Sequence, residues 1–265
     1  MISKVIHYCW FGGAEKPPIV NKCIESWHTH LPDYEFFEWN ESNFDVNACV
    51  WTKEAYDAKK WAFVSDYARL FVVYNHGGIY LDTDVEIKNE HSLDNFLDDD
   101  CFLFFENEYV VASGLGFGAV KEHKLIGSML GVYEKQDKFN DKILCPELNT
   151  QAVEEALGGF CRSNVTQTFE YDGKVSVYSR GVYNACMRHL YSRFATGAPR
   201  TEYYGERRKK ESKFLLRRRQ PKKIAWWEKH FGKKGKKFYV FMVFDLPEYG
   251  LWYFIKKLFK RKKKK

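Results

Sequence analysis

The chain carries the stretch Gly77-Gly78-Ile79-Tyr80-Leu81-Asp82-Thr83-Asp84, in which two glycines, an apolar run and two acids follow one another. The glycines are predicted to end a helix, and residues 79–87 to form a strand. Because residues two apart in a strand project to the same side, Asp82 and Asp84 are expected to reach one hard cation. A divalent cation there would neutralise a nucleotide diphosphate while its bond to a sugar breaks. The alternative is a chance acidic pair, although an otherwise apolar strand argues against a solvated edge.

The helix expected before this stretch spans residues 55–74 and carries two polar side chains. Asp66 and Arg69 lie three apart and share one helical face. They form either an internal ion pair, which contributes little stability, or a pair that faces a ligand. In the second case Asp66 would accept hydrogen bonds from sugar hydroxyls, and Arg69 would clamp the sugar or a phosphate. Their spacing leaves both interpretations open, beside a predicted buried stripe of Trp61, Val64, Ala68 and Phe71.

The N-terminal segment has the pattern of a nucleotide-binding α/β sheet. Residues 4–11 are predicted to form a buried strand, residues 19–28 a helix, and residues 34–39 a second strand. Ligands of open α/β sheets bind at the carboxyl ends of strands, which is where Trp10 lies. Trp10 would stack there on the base of a nucleotide, or else be an ordinary core tryptophan. His7 is expected to be a core histidine with its hydrogen bonds satisfied.

Further elements continue the alternation of strands and helices. Strands are predicted at residues 101–106, 114–120 and 174–178, and helices at residues 124–133 and 146–157. No internal repeat is apparent. The pattern predicts an α/β fold, and 265 residues suffice for one sizeable domain with an appendage.

Cysteine use and hydropathy indicate a protein of the reducing cytosol. The seven cysteines are odd in number and include no Cys-x-x-Cys pair, which argues against a disulfide framework and against a zinc site. The N-terminal apolar run is too short for a signal peptide, and the longest apolar run, residues 238–244, is far shorter than a membrane span. We therefore expect the protein to stay in the cytosol, with the option of binding a membrane surface.

An acidic body and a strongly basic tail share this chain. Residues 200–265 contain 24 Lys and Arg against 6 Asp and Glu, whereas residues 1–199 have a net charge of −11. The favoured interpretation of the tail is an anchor on an anionic membrane surface. Nucleic-acid binding is disfavoured by the acidic body, and a solvated tail is the remaining alternative. An amphipathic helix is predicted near the end of the tail from Leu251, Phe254, Ile255, Leu258 and Phe259.

Three segments together resemble one enzyme family. They are residues 6–13 (Ile-His-Tyr-Cys-Trp-Phe-Gly-Gly), residues 65–69 (Ser-Asp-Tyr-Ala-Arg) and residues 77–84, supported by Pro32-Asp33-Tyr34-Glu35 and Trp39. The combination resembles the DXD-containing sugar transferases of glycosyltransferase family 32, which include yeast initiating mannosyltransferases and bacterial capsule enzymes. It is also similar to the glucosylating domain of large clostridial toxins. The resemblance covers roughly residues 1–135.

This resemblance implies a GT-A type sheet flanked by helices, a nucleotide-sugar donor, Mn²⁺ or Mg²⁺, and retention of the anomeric configuration. It implies that Asp82 and Asp84 bind the metal, with Asp82 also touching the ribose. The implied catalytic residues are Asp66, Arg69, Asp82 and Asp84. The implied donor-binding residues are Trp10 on the base, Asp66 and Arg69 on the sugar, and Gly78, Tyr80 and Asp82.

The C-terminal half departs from the family pattern. Many members complete the metal site with a His-His…Ser-Trp motif that is missing from this chain, and residues 188–192 (Arg-His-Leu-Tyr-Ser) are a degenerate counterpart. His189 is therefore the candidate third metal ligand.

Three parts and one activity are predicted. Residues 1–135 are the donor-binding core, residues 136–199 the acceptor side of the same domain, and residues 200–265 a basic amphipathic tail at the inner face of the cell membrane. The expected activity moves a hexose, first of all from a uridine-diphosphate sugar, to a saccharide or lipid-linked saccharide in bacterial surface polysaccharide synthesis. The alternative is a non-catalytic protein that binds membranes or polyanions through a decayed transferase domain.

Overall fold

The structure is a computed structural model that describes residues 1–190 of the 265-residue chain. The predicted basic tail and its amphipathic helix lie outside the described residues. The end of the predicted acceptor-side part, beyond residue 190, also lies outside them. Within residues 1–190, no helix is both long enough and apolar enough to cross a lipid bilayer. All seven cysteines of the chain are in this part and are free thiols.

A mixed sheet of seven strands forms the centre of the fold, in the order β2-β1-β3-β6-β5-β8-β7. Parallel pairing joins β1 to β2 and β3, and β5 to β8, whereas β6 runs antiparallel to both β3 and β5. The strands are β1 (Val5–Cys9), β2 (Glu35–Trp39), β3 (Gly78–Tyr80), β5 (Cys101–Phe104), β6 (Phe117–Ala119), β7 (Gln167–Glu170) and β8 (Lys174–Tyr178). Two further strands, β4 (Val85–Ile87) and β9 (Met187–His189), pair antiparallel in a small separate sheet.

Helices cover both faces of the large sheet. They are α1 (Pro18–His30), α2 (Val50–Asp57), α3 (Trp61–His76), α4 (Lys124–Glu134), α5 (Cys145–Ala156) and α6 (Arg180–Cys186). Successive strand residues point to opposite faces, so Ile79 joins the core that includes Trp27 of α1, whereas Tyr80 joins the core under α2 to α5. The predicted α/β class, a sheet flanked by helices, is confirmed.

The helix predicted at residues 55–74 is wrong in extent, because the chain breaks it into α2 and α3. Lys59 lies in the break with a positive φ of 56°, which no helix residue adopts. The prediction of one buried stripe also fails, because α3 is enclosed on most sides: Val64 and Ala68 are buried together with Asp66 and Arg69. Its end is as expected, with Gly77 at a φ of 70° after the last turn.

The strand predicted at residues 79–87 is likewise two strands. β3 ends at Tyr80, residues 81–84 turn, and β4 starts at Val85 in the other sheet. The turn is closed by the Val85 amide, which donates to the Asp82 carbonyl oxygen at 3.0 Å. The apolar pattern is continuous across the turn because Ile79, Leu81, Val85 and Ile87 all enter the same core. Asp82 and Asp84 are therefore brought together by a turn and not by strand alternation.

The remaining elements follow the sequence with shifted ends. A short 3-10 turn, Ser113–Leu115, replaces the first half of the strand predicted at residues 114–120, and the strand predicted at 101–106 ends at Phe104. β8 has the predicted bounds. His7 is a core histidine, as expected: it is buried, its Nε2 bonds the Gly77 carbonyl oxygen at 2.9 Å, and its Nδ1 accepts from Trp39.

Candidate functional site

The predicted acidic residues gather where β3 ends. β1 and β3 are parallel neighbours, so their carboxyl ends lie at one edge of the sheet, with Trp10 following β1 and the turn at residues 81–84 following β3. The turn is tied down by Tyr80, whose hydroxyl donates to Oδ1 of Asp82 at 2.9 Å. Two other segments border this place: α3, which carries Asp66 and Arg69, and the 3-10 turn Ser113–Leu115.

Arg69 links the helix to the acidic turn. Its Nη2 lies 3.1 Å from Oδ1 of Asp66 and 3.2 Å from Oδ1 of Asp82, and its Nε donates to the Ser65 carbonyl oxygen at 3.0 Å. The guanidinium carbon also lies 5.0 Å from the centre of the Tyr80 ring. The sequence left open whether Asp66 and Arg69 form an internal ion pair or face a site. The structure combines the two, since they pair with each other and Arg69 also reaches the acidic turn.

Burial makes the ionised forms of the side chains in this cluster less favourable and so shifts their pKa values. It raises the pKa of the Asp66 carboxyl to about 6, although Arg69 partly offsets the effect. It raises the pKa of Asp82 as well, and the nearby Asp84 carboxylate adds to the increase. Burial alone would lower the pKa of Arg69, but Asp82 and Asp66 raise it well above its usual range. One permanently charged guanidinium is thus shared by two carboxylates that both resist ionisation.

Asp82, Asp84 and His189 form a group with the composition of a metal site. One ligand atom from each of the three side chains lies within 4.8 Å of the others. β9 brings His189 to this place by pairing opposite Val85, and the Leu190 amide donates to the Asp84 carbonyl oxygen at 2.9 Å. Nε2 of His189 lies 3.2 Å from Oδ1 of Asp84. The structure therefore brings the candidate third ligand to the predicted pair.

The chemistry of this group suits Mn²⁺ or Mg²⁺. Carboxylate oxygens are the preferred ligands of both ions, and a neutral imidazole is an accepted third ligand for manganese. Burial lowers the pKa of His189 to about 4, so the ring is neutral near pH 7 and keeps a nitrogen lone pair for a cation.

Trp10 follows β1 directly and is only half-buried. Its Nε1 donates to the Ala14 carbonyl oxygen at 2.6 Å, which fixes the indole in the loop. Nζ of Lys16 lies 5.8 Å from the ring centre and 2.7 Å from Oε2 of Glu38. The structure places Trp10 at the predicted sheet edge, outside the main cores, as a partly open aromatic surface.

Two of the predicted donor-binding residues, Tyr80 and Gly78, lie at opposite ends of β3. Tyr80 is buried beneath Arg69 and bonds Asp82, so it belongs to the cluster. Gly78 lies at the other end of β3, where an added Cβ would be 2.8 Å from the Val5 carbonyl oxygen. Its φ of 95° and this close backbone approach explain the glycine without a ligand. The structure does not bring Gly78 to the cluster.

Other residues of the site were missed by the sequence interpretation. Gly114 is one: a Cβ there would lie 2.6 Å from Oδ2 of Asp82 and 2.9 Å from Nη1 of Arg69. The glycine-rich run at residues 114–118 was a usable signal for this close approach, but it was interpreted as a strand. Ser113 contacts Arg69, and Cys145 and Asn149 in turn contact Ser113; no local pattern in the sequence identifies these three residues.

Comparison with known proteins supports the family resemblance. Residues 17–103 match the family model described as "Glycosyltransferase sugar-binding region containing DXD motif". Inositol phosphoceramide mannosyltransferase 3 of Schizosaccharomyces pombe is 33% identical over 96 residues, which are 32% of this chain and 24% of that protein. The chain thus spans about a quarter of the length of this curated relative. The predicted resemblance to DXD sugar transferases is confirmed, and the matched segment contains Asp66, Arg69, Asp82 and Asp84.

Two solved structures are similar at a lower level. The PaToxG glycosyltransferase has a TM-score of 0.47 and 18% identity, over 58% of this chain and 69% of that chain. A glycosyltransferase involved in the glycosylation of the major capsid of PBCV-1 has a TM-score of 0.39 and 12% identity, over 71% of this chain and 94% of that chain.

Proposed function

We propose that this protein is a metal-dependent glycosyltransferase that moves a hexose from a nucleotide-diphosphate sugar to a saccharide or lipid-linked acceptor. One observation carries the proposal. Ligand atoms of Asp82, Asp84 and His189 lie within 4.8 Å of one another, next to the ion pair of Asp66 and Arg69 and inside the segment that matches the DXD family. An ion site and a sugar-recognition pair thus adjoin at the edge of the sheet where ligands of α/β proteins bind.

Asp82, Asp84 and His189 would hold Mn²⁺ or Mg²⁺. The ion would supply positive charge to the diphosphate that leaves the sugar. Asp82 suits this position because Tyr80 and Arg69 both reach its Oδ1. Its carboxylate is therefore fixed in orientation before any ligand arrives, which lowers the cost of organising the site.

Asp66 and Arg69 would recognise the donor sugar. A carboxylate accepts hydrogen bonds from hydroxyl groups, and a guanidinium donates to sugar or phosphate oxygens. Each is held by the other at 3.1 Å and neither is more than 8% exposed, so both are positioned with little freedom. A buried charged pair of this kind gains most when a polar ligand supplies the contacts that water no longer makes.

From the resemblance to DXD sugar transferases we infer that the anomeric configuration is retained, by a front-face displacement and not through a covalent intermediate. Asp66 and Asp82 are already engaged by Arg69, which disfavours either as a nucleophile on the sugar. In the proposed reaction the acceptor oxygen bonds the anomeric carbon on the face from which the phosphate departs. The C–O bond to phosphate breaks, and the leaving phosphate oxygen takes the proton of the acceptor hydroxyl. Atoms and charge balance without a further base.

Uridine-diphosphate hexoses are our first candidates for the donor, and a mannose donor belongs in the same test. The name of the curated relative pairs a mannosyl group with inositol phosphoceramide, a lipid, which supports including lipid-linked acceptors. We place the reaction in bacterial surface polysaccharide synthesis, on the cytoplasmic side of the cell membrane.

The net charge of +18 in residues 200–265 supports the membrane location. Each basic residue near an anionic surface contributes about 1 kcal/mol, so a fraction of these charges suffices for binding. Flotation with anionic and with neutral liposomes tests the idea. We expect the full chain to float with anionic vesicles only, and a chain shortened after residue 199 to stay behind. A shortened chain that floats equally well would remove the tail from the proposal.

A donor panel tests the activity. The protein with Mn²⁺ is offered a range of nucleotide sugars, and nucleotide release is compared with that of Asp84→Ala. Release by the parent protein that Asp84→Ala loses supports a transferase. Equal release by both proteins would favour the non-catalytic alternative, in which a decayed domain serves only to bind membranes or polyanions. Mass spectrometry of the product then identifies the sugar and the acceptor.

A further inference from the structure

The strand that carries His189 has little backbone support. Among residues 1–190, β9 has three residues and pairs with β4, which also has three, in a sheet of only two strands. A two-stranded sheet is at best marginally stable by itself. Side-chain contacts are therefore needed to keep His189 beside Asp84.

One carboxylate and two cations join β9 to β4 and to α1. Glu86 lies directly opposite Arg188, and its Oε2 accepts hydrogen bonds from Nε of Arg188 at 2.7 Å and from Nη2 of the same residue. Its Oε1 lies 3.3 Å from Nζ of Lys22, which belongs to α1. Each oxygen of Glu86 thus has its own cation, and we call Lys22, Glu86 and Arg188 the ion clamp.

The ion clamp and His189 lie on opposite faces of the small sheet. His189 is paired with Val85 and Arg188 with Glu86, and neighbouring pairs in a ladder point to opposite sides. The group of possible metal ligands described above does not include Glu86. Any effect of Glu86 on a bound ion would therefore pass through the strand and not through direct contact.

The three side chains of the ion clamp differ in exposure. That of Glu86 is only 13% exposed, whereas those of Arg188 and Lys22 are 59% and 61% exposed. Water screens a shielded carboxylate less than an exposed one, so its attraction to the two cations is stronger than in an ordinary surface pair. Reversing the charge at Glu86 would replace both attractions by repulsion.

We propose that Glu86, together with Lys22 and Arg188, is a positioning residue that holds β9 so that His189 serves as the third metal ligand. The metal in this inference rests on the proposed function, whereas the ion clamp is a feature of the fold. Glu86 connects the two partners of β9 that are distant in the chain, β4 through the ladder and α1 through Lys22.

The first test needs no ligand. Hydrogen exchange of the metal-free protein, followed by mass spectrometry, reports the Leu190 amide, which donates to the Asp84 carbonyl oxygen at 2.9 Å. We expect residues 187–190 to exchange about tenfold faster in Glu86→Lys, because like charges then face each other across the ladder. Exchange in the seven-stranded sheet should not change, which shows that the variant folds. Arg188→Gln, at an exposed position, should have the same effect at about threefold.

Two further variants serve as controls for the charge change. Glu86→Lys combined with Arg188→Glu restores an opposite pair and the parental net charge, and it should recover slow exchange. Glu154→Lys reverses the carboxylate of another ion pair, the one between α5 and Arg162. It should leave exchange of residues 187–190 unchanged.

The second test measures the affinity for Mn²⁺ by calorimetry. A residue that supports a metal ligand changes metal affinity by about tenfold or more. We expect Glu86→Lys to weaken Mn²⁺ binding by about tenfold, as His189→Ala does. In a protein that already carries His189→Ala, Glu86→Lys should weaken it by about twofold at most. The charge-swapped variant should regain the parental affinity, and Glu154→Lys should keep it.

The outcomes distinguish this inference from the proposed function. Unchanged exchange in both Glu86→Lys and Arg188→Gln would overturn the ion clamp. No loss of Mn²⁺ affinity, or an equal loss with and without His189, would overturn the positioning role, since the added charge alone would explain an equal loss. A parent protein that binds no Mn²⁺ would contradict the proposed metal site and the positioning role with it, even where faster exchange shows that the ion clamp holds β9.

Discussion

Two acidic clusters in this protein differ in the number of partners that each carboxylate has. Just before β5, Asp99 is almost fully buried, with Oδ1 at 2.8 Å from Nζ of Lys174 and Oδ2 accepting from the Tyr178 hydroxyl at 2.8 Å. At the end of β3, Asp82 receives Tyr80 and Arg69 on the same oxygen, Oδ1. Arg69 is shared with Asp66 as well. In the first cluster each carboxylate oxygen has its own partner, a cation or a hydroxyl group, whereas in the second cluster one cation is shared by two acids.

The difference is the one expected between a structural acid, Asp99, and the ligand-binding acid that we propose, Asp82. Both oxygens of Asp99 have a close partner within the protein, the Lys174 ammonium in an ion pair and the Tyr178 hydroxyl in a hydrogen bond, which suits a group that only holds β5 and β8 together. Among residues 1–190, protein donors reach Asp82 at Oδ1, and its Oδ2 faces the bare backbone of Gly114. The Asp82 side chain is 26% exposed, so its carboxylate is accessible to a ligand. The following changes test whether this contrast holds.

The largest effect is expected from removing Asp84, a proposed metal ligand. Asp84→Ala should lower nucleotide release by about 1000-fold, because a metal ion on the leaving group contributes several kcal/mol to the transition state. Asp99→Asn is the matched change in the other cluster. It should keep activity within about threefold and lower the free energy of unfolding by about 1–2 kcal/mol, since the amide keeps only part of the bonding. If Asp99→Asn were as inactive as Asp84→Ala, the contrast between the clusters would be wrong.

The next effect is a pH dependence of stability that arises from Asp66. Burial raises its folded-state pKa to about 6, above the ordinary value of 3.8, so between these pH values the folded protein binds a proton that the unfolded chain does not. This contribution therefore favours folding at low pH and is lost as pH rises from about 4 to about 6, by about 2–3 kcal/mol.

The variant Asp66→Asn has no titratable group at this position, so comparing it with the parent protein isolates the contribution of Asp66 to the pH dependence of stability. We measure the free energy of unfolding of both metal-free proteins at several pH values. Between about pH 4 and pH 6 the parent protein should lose stability relative to Asp66→Asn, and above that range the difference between the two free energies should be constant. Parallel curves from pH 4 to 7 would mean that Asp66 titrates normally. His7, whose pKa burial lowers to about 4, changes stability in the opposite sense but is common to both proteins.

A smaller effect is expected from exchanging the cation in each cluster. Arg69→Lys keeps the charge but cannot reach Asp66, Asp82 and the Ser65 carbonyl oxygen together, because an ammonium lacks the planar fork. We expect kcat/KM to fall by about 30-fold, equivalent to about 2 kcal/mol. Lys174→Arg, the mirror exchange beside Asp99, should leave steady-state kinetics unchanged. If the Arg69→Lys variant had the kinetics of the parent protein, a positive charge at this position would be sufficient for activity and the planar guanidinium group would not be needed.

The smallest effect is expected at Gly114, a residue without a side chain whose backbone faces Asp82. Gly114→Ala would place a methyl group 2.6 Å from Oδ2 of Asp82, so the carboxylate must shift, and we expect kcat/KM to fall by about tenfold. Gly131→Ala is the control, since nothing lies within 4 Å of a Cβ there. Alanine inside α4 should raise the free energy of unfolding by about 0.5–1 kcal/mol and leave activity intact. Equal kinetics in the two variants would show that the approach at Gly114 is unimportant.

The sequence predicted the parts of this site that carry a local pattern. Asp66 with Arg69, and Asp82 with Asp84, are close in the chain, so their spacing and the apolar residues around them were enough to pair them. The α/β class followed from strands such as β8, whose bounds were predicted correctly. Turns inside apolar runs were not visible, because Leu81 and Val85 enter the same core on both sides of the turn.

Long-range neighbours could not be derived from local periodicity. Arg69 meets Ser113 across 44 positions, and Cys145 meets Ser113 across 32. Such pairs depend on how α5 packs against the 3-10 turn, which no single-chain pattern encodes. His189 was found only through a family motif, and the pairing of β4 with β9 supplies the physical reason for its place.

The route by which His189 reaches Asp84 has a consequence for biosynthesis. Strand β9 is made more than a hundred residues after the acidic turn, yet it pairs with β4 in the small sheet. A nascent chain that has already formed β1, α1 and β3 therefore still lacks the imidazole. Translation intermediates that end before β9 therefore cannot bind a divalent ion through all three side chains.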